Sequence, residues 1–559
     1  MTVDKFDEIF KIIGNAGRFQ LFIYCILSYT AVYSGMTSVA SVFLLAKVDF
    51  NCHVENGTSL PKIYDDVCNL TTTDQCNEFL NVENEEVRAC TDGYEFDTTS
   101  RYYDSVTTEF ELVCSDSWKQ TVIESTYFIG FFVGAGLGGY VSDNYGRRTT
   151  ILIGGVATAI FNIAASFLSV KWYLFMIFRF FIGISSNMAY VAAYVYCMEI
   201  IGPDYRSAMG IWVQACFAIG YGLLSPISYL WPSWTSLQIV IGCVAVPQVL
   251  MVISFVGESP RYLFVRGEID KAKSEIENIA VKNNRNPDKI ALILDEASDQ
   301  TSSETEIDNT DTKNYSFKDL FINGSNMRLI TINCMFNWFA NSIVYYGLSL
   351  NAAALPLDLY WSNAFYCFVE VPAYFLAMYL VEVPLLGRKG TLVACLLTGG
   401  IACLLQVILS ELSYCESQDI QGFSDMNGLV LAGFICSMVG KSAISISFAV
   451  IYNVTAELFP TQVRSNAVGL CSMVSRLGGI AAPGILGIQE LVRWLPGVLF
   501  GVLAILAGGF SWFLPETYGC PMLMSFEQAN EFYDNSGKEN GKKSGNLDFD
   551  NEGLEADTM

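Results

Sequence analysis

Apolar residues along this chain gather into long blocks, separated by short polar stretches. A block of roughly 20 apolar residues predicts a helix that crosses a bilayer: the hydrocarbon core is about 30 Å thick, and unbonded backbone groups inside it cost several kcal/mol each. Twelve blocks qualify. The first six run near Phe19 to Leu45, Thr121 to Val141, Thr150 to Val170, Trp172 to Cys197, Ala208 to Leu230 and Ser236 to Val256. The second six run near Leu329 to Leu350, Tyr360 to Val381, Thr391 to Leu412, Gly428 to Thr455, Ala467 to Ile488 and Trp494 to Leu514. Polar residues interrupt the second and the seventh. The expectation is an all-α membrane protein of twelve transmembrane helices in two six-helix bundles.

Composition agrees, with 52% of the 559 residues in the AVILMFWYC set and 16% charged. The net charge of −24 sits outside the blocks: residues 48–118 contribute −13, 258–318 contribute −4 and 526–559 contribute −6, which leaves about −1 for everything else. Nucleic-acid binding is excluded as a function, because it needs Lys and Arg concentrated on one face. One histidine, His53, lies in an acidic polar segment, and a catalytic triad or a multi-histidine metal centre would have to draw on that residue alone. No enzyme activity, metal or cofactor is expected.

Short connections show which side faces the cytoplasm. Arg147, Arg148, Arg206, Arg388, Lys389 and Arg464 fall in even-numbered connections, while the first and ninth are acidic, so both termini are expected to be cytoplasmic. The division then reads 1–18 cytoplasmic, 19–256 the first bundle with an outer connection at 48–118, 257–327 a cytoplasmic middle segment, 328–514 the second bundle and 515–559 an acidic cytoplasmic tail. The outer connection carries Cys52, Cys68, Cys76, Cys90 and Cys114, with glycosylation sequons at Asn56 and Asn69, as an oxidising compartment allows. Five is odd, so one cysteine stays free or pairs with Cys415. Sequons at Asn314, Asn323 and Asn453 fall in cytoplasm or membrane and should be silent. The first block lacks an early cleavage site, so it is read as a span rather than a signal peptide. In the middle segment, Arg261 to Asn283 has helical spacing, and Asp299 to Thr312 reads as disordered.

The halves repeat. Glu199 precedes Arg206 by seven residues and Glu457 precedes Arg464 by seven, the copies lying 258 apart; Glu258 and Glu516 are also 258 apart. Gly146-Arg147-Arg148 matches Gly387-Arg388-Lys389 at a step of 241. Duplicated six-helix units suit a carrier that rocks two bundles around a central passenger. Asp143, Arg147, Arg148, Glu199, Arg206, Glu258, Arg388, Glu457, Arg464 and Glu516 are therefore assigned to a gate of Glu/Arg pairs on the cytoplasmic side. The plainer reading is that these arginines only obey the topology rule.

Gly139-Tyr-Val-Ser-Asp143-Asn-Tyr-Gly146-Arg147-Arg148 resembles the loop motif of the major facilitator superfamily, departing at Asn144 where a basic residue is usual. Glu258-Ser-Pro-Arg261-Tyr-Leu, Ala456-Glu457-Leu-Phe-Pro460-Thr-Gln-Val-Arg464 and Leu514-Pro-Glu516-Thr-Tyr-Gly519 are similar to marks of its organic ion transporter family. Tyr346-Gly-Leu-Ser-Leu350, Val369-Glu370-Val-Pro-Ala-Tyr374, Val439-Gly-Lys441, Tyr190-Val-Ala-Ala193 and Ser475-Arg476-Leu-Gly478 resemble the organic cation/carnitine branch. The resemblance implies the major facilitator fold and a central cavity lined by Tyr190, Trp338, Tyr345 and Phe448. By contrast, Gly134-Ala-Gly136-Leu-Gly138-Gly139, close to a dinucleotide fingerprint, lies inside a span and is better explained by helix packing.

Four ionisable residues fall deep in predicted spans: Glu124, Glu370, Lys441 and Arg476. Such groups are expensive in hydrocarbon and mark a pathway. In the resembled family, cation carriers hold an acid at the position of Arg476 and anion carriers a base. Arg476 with Lys441 suits a carboxylate, and Glu370 an ammonium. A quaternary ammonium also needs aromatic faces, for which Tyr190, Trp338, Tyr345, Phe448 and Tyr452 are the candidates. The bland alternatives are helix packing for the aromatics and an interhelical ion pair for Glu370 and Arg476. Glu124 is unusual, since the family more often has an uncharged residue there. The expected function is a plasma-membrane carrier of small organic cations and zwitterions such as carnitine, working by alternating access. The rivals are an organic anion exchanger and a non-transporting membrane sensor. Sodium is a candidate coupling ion, beside proton-coupled and uncoupled modes.

Overall fold

The computed structural model describes residues 13–285 and 318–539, with short breaks at 54–61, 66–69, 74–75, 82–85, 91–92, 103, 203–204, 323, 415–425, 461–462, 520–522 and 524–525. Its long helices are α1 (Arg18–Val39), α2 (Trp118–Tyr145), α3 (Arg147–Leu168), α4 (Trp172–Ile200), α5 (Arg206–Leu230) and α6 (Trp234–Phe255) in the first half. The second half has α7 (Ser325–Leu350), α8 (Leu359–Leu380), α9 (Gly387–Leu412), α10 (Gly428–Leu458), α11 (Arg464–Gly487) and α12 (Leu495–Ser511). All twelve apolar blocks are helical. Ten are long and apolar enough to cross a membrane by themselves; α12 is short, and α7 is diluted by asparagines. Those asparagines face protein: Asn337 bonds Asn333 and accepts from Ser511, and Asn341 accepts from Ser447.

Several helices run past the apolar blocks. Block edges mark hydrocarbon, whereas backbone bonding continues into the polar layer until a residue breaks it. Asp143 is thus the last turn of α2, and Arg147, Arg206 and Arg464 each open a helix. A single residue, Gly146 at φ 100°, joins α2 to α3, and Gly387 at φ 60° opens α9.

Within the halves, α2 packs on α4 and α9 on α10 most extensively. Gly130, Gly134 and Gly138 of α2 lie against the α4 backbone at Phe180, Ile184 and Met188, where a Cβ has no room; Gly136 and Gly139 face open space. Between the halves, α2 meets α11 and α5 meets α8. In a six-helix repeat α2 corresponds to α8 and α5 to α11, so the two seams are equivalent and the central space lies between them.

One face of the molecule carries the connection between α1 and α2 and is called the loop face here. Its described strands form three antiparallel ribbons: Phe50–Cys52 with Tyr94–Phe96, Lys62–Asp65 with Leu70–Thr73, and Asn77–Asn81 with Glu86–Ala89. Disulfides join Cys52 to Cys90 and Cys76 to Cys114. Cys68, Cys415, Asn56 and Asn69 lie outside the described residues, as do Asn314, Asn323 and Asp299 to Thr312. On the opposite face, Ile269–Lys282 lays Ala272, Ile276 and Ile279 against the first half, and Phe526–Glu539 buries Ala529 and Tyr533 on the second.

Candidate functional site

The repeated charged motifs close into two copies of one construction on the face opposite the loop. In the first, the Arg147 guanidinium donates to Glu199, 3.0 Å, and to Asp143, 2.9 Å, while Ser259 Oγ donates to Glu199, 2.6 Å. Glu258 accepts from the backbone N–H groups of Arg147, 2.9 Å, and Arg148, 3.2 Å, at the positive end of α3. In the second, Arg388 pairs with Glu457, 3.0 Å, Thr517 Oγ1 donates to Glu457, 2.7 Å, and Glu516 accepts from the N–H groups of Arg388, 3.0 Å, and Lys389, 3.1 Å. A Cβ at Gly146 or Gly387 would displace the Glu258 or Glu516 carboxylate from the N–H groups it accepts from, and the positive φ at both positions favours glycine. Burial pushes the Glu258 carboxyl up, against the lowering by the N–H groups it accepts from.

These pairs do not bridge the two halves in this structure. Both stay inside their own half, because Arg147 and Arg388 open helices next to the carboxylates of the same bundle. Arg206 and Arg464 hold the ends of α4 and α10, through the carbonyls of Met198 and Phe459. Each motif ties together helices of its own bundle. Across the halves stand rings instead: Phe128 against Tyr346 at 4.8 Å, and Tyr194 against Tyr452 at 6.3 Å.

Between those two ring pairs lies a narrow pocket of about 30 Å³, room for a water or two. Tyr190, Tyr345, Phe448, Tyr452 and Arg476 line it, together with Phe131, Gln214, Phe217, Ser342, Tyr346 and Ser475. Tyr345 stacks on Phe448 at 5.4 Å, and Tyr190 OH reaches Gln214, 3.4 Å. Arg476 donates Nη1 to Ser472 one turn back, 2.8 Å to Oγ, and its Cζ lies 5.4 Å from the Phe131 ring. Its Nε is buried without an acceptor, and no described residue forms an ion pair with it.

Trp338, Glu370 and Lys441, expected at the same wall, stand behind it. Trp338 donates Nε1 to Thr455, 2.9 Å, and Tyr452 covers its ring at 4.3 Å. Glu370 and Lys441, both fully buried, pair with each other at 3.1 Å. The carboxylate also accepts from Tyr221, 2.9 Å, Tyr345, 2.7 Å, and Tyr374, 2.8 Å. The ammonium donates to Ser349, 2.6 Å, and sits 3.7 Å from the Tyr345 ring centroid. Lys441 therefore belongs with Glu370 rather than with Arg476, since two charges this deep are tolerable only paired and fully hydrogen-bonded. Tyr345 joins the two arrangements, its ring on the pocket and its hydroxyl on the carboxylate.

Sequence reasoning missed Arg179, buried inside α4 with Nη1 on the Thr37 carbonyl, 3.2 Å, and its guanidinium over the Tyr127 ring at 4.4 Å. The rule that found the other four charges applies to it equally. The buried charges are accordingly three basic and two acidic rather than balanced. Tyr221 and Tyr374 carried no signal beyond being aromatic. Among the described residues no three His, Cys, Asp or Glu side chains converge as for a metal.

The model of the family described as sugar (and other) transporter matches residues 68–531. The chain is 31% identical over 546 residues to an organic cation transporter protein of Drosophila melanogaster, covering 94% of this chain and 95% of that one. It is 28% identical over 557 residues to human organic cation/carnitine transporter 2, covering 94% and 93%. Among solved structures, the proton:xylose symporter XylE bound to 6-bromo-6-deoxy-D-glucose superposes with a TM-score of 0.60 at 14% identity, over 92% of this chain and 100% of that one. An inward open XylE from E. coli gives 0.57 at 17% identity, over 94% and 99%. At such identities the structures establish the major facilitator fold.

Proposed function

The chain belongs to the sugar (and other) transporter family of the major facilitator superfamily, beside the organic cation and carnitine transporters, and from that premise we propose that it carries small zwitterions. It is a membrane-spanning transporter of the organic cation class; the finer reading concerns the passenger, a molecule with a quaternary ammonium and a carboxylate, carnitine and related betaines first. The observation that carries it is Arg476: a guanidinium at the pocket wall with a buried Nε lacking an acceptor, while the fully buried Glu370 is already saturated by Lys441 and three tyrosines. Leaving such a donor unmade costs about 1–3 kcal/mol, which a passenger's carboxylate recovers on binding. The ammonium end, unable to donate N–H bonds, faces Tyr190, Tyr345, Phe448 and Tyr452, each worth about 0.5–2 kcal/mol as a cation–π partner. Glu370 then contributes through the Tyr345 hydroxyl rather than by touching the passenger.

The pocket is too small for such a molecule as it stands, so the halves part to admit it. The braced bundles move as bodies, with Phe128–Tyr346 separating on one side and Tyr194–Tyr452 on the other. We place the protein in the plasma membrane, with the loop face outside and both termini in the cytoplasm, following the basic residues of the opposite face.

Radiolabelled uptake of carnitine, tetramethylammonium and a dicarboxylate in a heterologous cell, with and without external sodium, tests this reading. Carnitine uptake exceeding both others supports it. The same lone guanidinium favours organic anion exchange as the second reading, which preferential dicarboxylate uptake establishes. A sensor accumulates none of the three. Dependence on sodium in the same experiment identifies a coupling ion.

A further inference from the structure

A cavity of about 570 Å³ opens between the halves on the loop face, lined by α2 and the segment after α1 on one side and by the ends of α7 and α11 on the other. That volume is in the range that holds a small ligand. Glu124 is the only acid among its lining residues. It stands one helical turn before Phe128, whose ring meets Tyr346 of the central pocket's wall. Its carboxylate is not consumed internally. The Ser41 hydroxyl lies beside it and the charges of Arg179 and Lys47 reach it, but the Arg179 guanidinium is turned to the Thr37 carbonyl and the Tyr127 ring, and no described residue forms an ion pair with Glu124. Lys47 and Arg493 line the same cavity, so it presents both signs of charge to what enters.

We propose that Glu124 is the acid of a second, outer docking site, which takes a monovalent cationic group above the Phe128–Tyr346 closure before the central pocket opens. The group is the ammonium of the incoming passenger or a sodium ion, and the inference rests on the carrier reading above. Glu124 is one acid against two bases in this cleft, so what it offers a cationic group is a local charge-assisted contact, whose loss appears in apparent affinity rather than in turnover.

The test uses the full-length carrier in cells, with surface amounts measured, comparing wild type, Glu124→Gln and Glu124→Asp on carnitine and tetramethylammonium in sodium and in potassium medium. Glu124→Gln is expected to raise KM for the transported cation about tenfold with Vmax unchanged, the size of one lost charge-assisted contact, and Glu124→Asp to restore most of it. An equal rise in both media identifies the ammonium as the group bound. A rise confined to sodium medium, with sodium stimulation lost, identifies sodium. An unchanged KM in both media overturns the site, as does a fall in Vmax common to every passenger that Glu124→Asp fails to restore, which marks a brace for Arg179. A wild type that takes up no cation overturns the carrier reading itself, and the site with it.

Discussion

Removing Lys441 from its pair with Glu370 should destabilise the protein nearly as much as removing both partners together. At 3.1 Å the two charges attract by about 5 kcal/mol at an effective dielectric constant near 20, while each ion loses several kcal/mol of hydration. The sum is close to zero, so the pair is held for what happens when it is broken. In Lys441→Met the carboxylate keeps three tyrosine hydroxyls but loses its counter-charge, and in Glu370→Gln the ammonium keeps Ser349 and the rings of Tyr345, Tyr221 and Tyr366 but loses its carboxylate. Each single change should cost about 3–5 kcal/mol, and the double change much less than their sum, with a coupling on the order of 2–4 kcal/mol. Thermal unfolding of the purified carrier in detergent, followed by tryptophan fluorescence, reads the order directly. Carnitine uptake should fall in both single variants and partly return in the double. If Lys441→Met is as stable as wild type, or the two losses simply add, Glu370 is not committed to Lys441. It is then available to a passenger's ammonium, and the argument for Arg476 as the leading recognition group fails.

Arg476→Ala should raise KM for carnitine by about 10–100-fold, the size of a lost charge-assisted contact, while sparing tetramethylammonium; competition uptake measures both. Tyr452→Ala should weaken both ammonium compounds several-fold, as expected from losing a cation–π face of about 0.5–2 kcal/mol, with dicarboxylate inhibition unaffected. Gly146→Ala and Gly387→Ala should each cost about 1–3 kcal/mol through the positive φ and the crowded carboxylate, visible as a lowered unfolding midpoint. Asn56→Gln and Asn69→Gln should each remove a glycosidase-sensitive step in gel mobility; no shift for either refutes the outward assignment of the loop face.

The twelve helices were legible because hydrocarbon imposes a length and composition that nothing else in the chain imitates. Their ends were not, since Asp143 and Arg464 are helical by backbone bonding that hydropathy does not register. That Glu124, Glu370, Lys441 and Arg476 lie inside the helix bundle was equally readable, since apolar sequence on both sides leaves a charge no route to water. Which charge faces which was not readable. Lys441 and Arg476 sit on neighbouring helices and looked interchangeable as partners for a carboxylate, and only the rotation of α10 turns the ammonium to α8 and away from the pocket. The repeat disclosed that Glu199 and Glu457 play the same part. It left open whether that part was to join the halves or to stiffen each one, because a spacing along the chain says nothing about the neighbour across a gap.

Every ion pair described above links residues of the same half; across the seams stand rings, neutral hydrogen bonds such as Asn363 to Ser225, and charges that meet only rings or hydroxyls: Arg476 over Phe131, Lys441 near the Tyr221 ring, and Glu370 and Asp358 accepting from Tyr221 and Tyr102. Rocking therefore breaks none of the ion pairs described above, and dissolved electrolyte has little purchase on the motion itself. Ionic strength should act on how passengers arrive, while the speed of an occupied carrier's turn is set by how readily aromatic surfaces slip past one another.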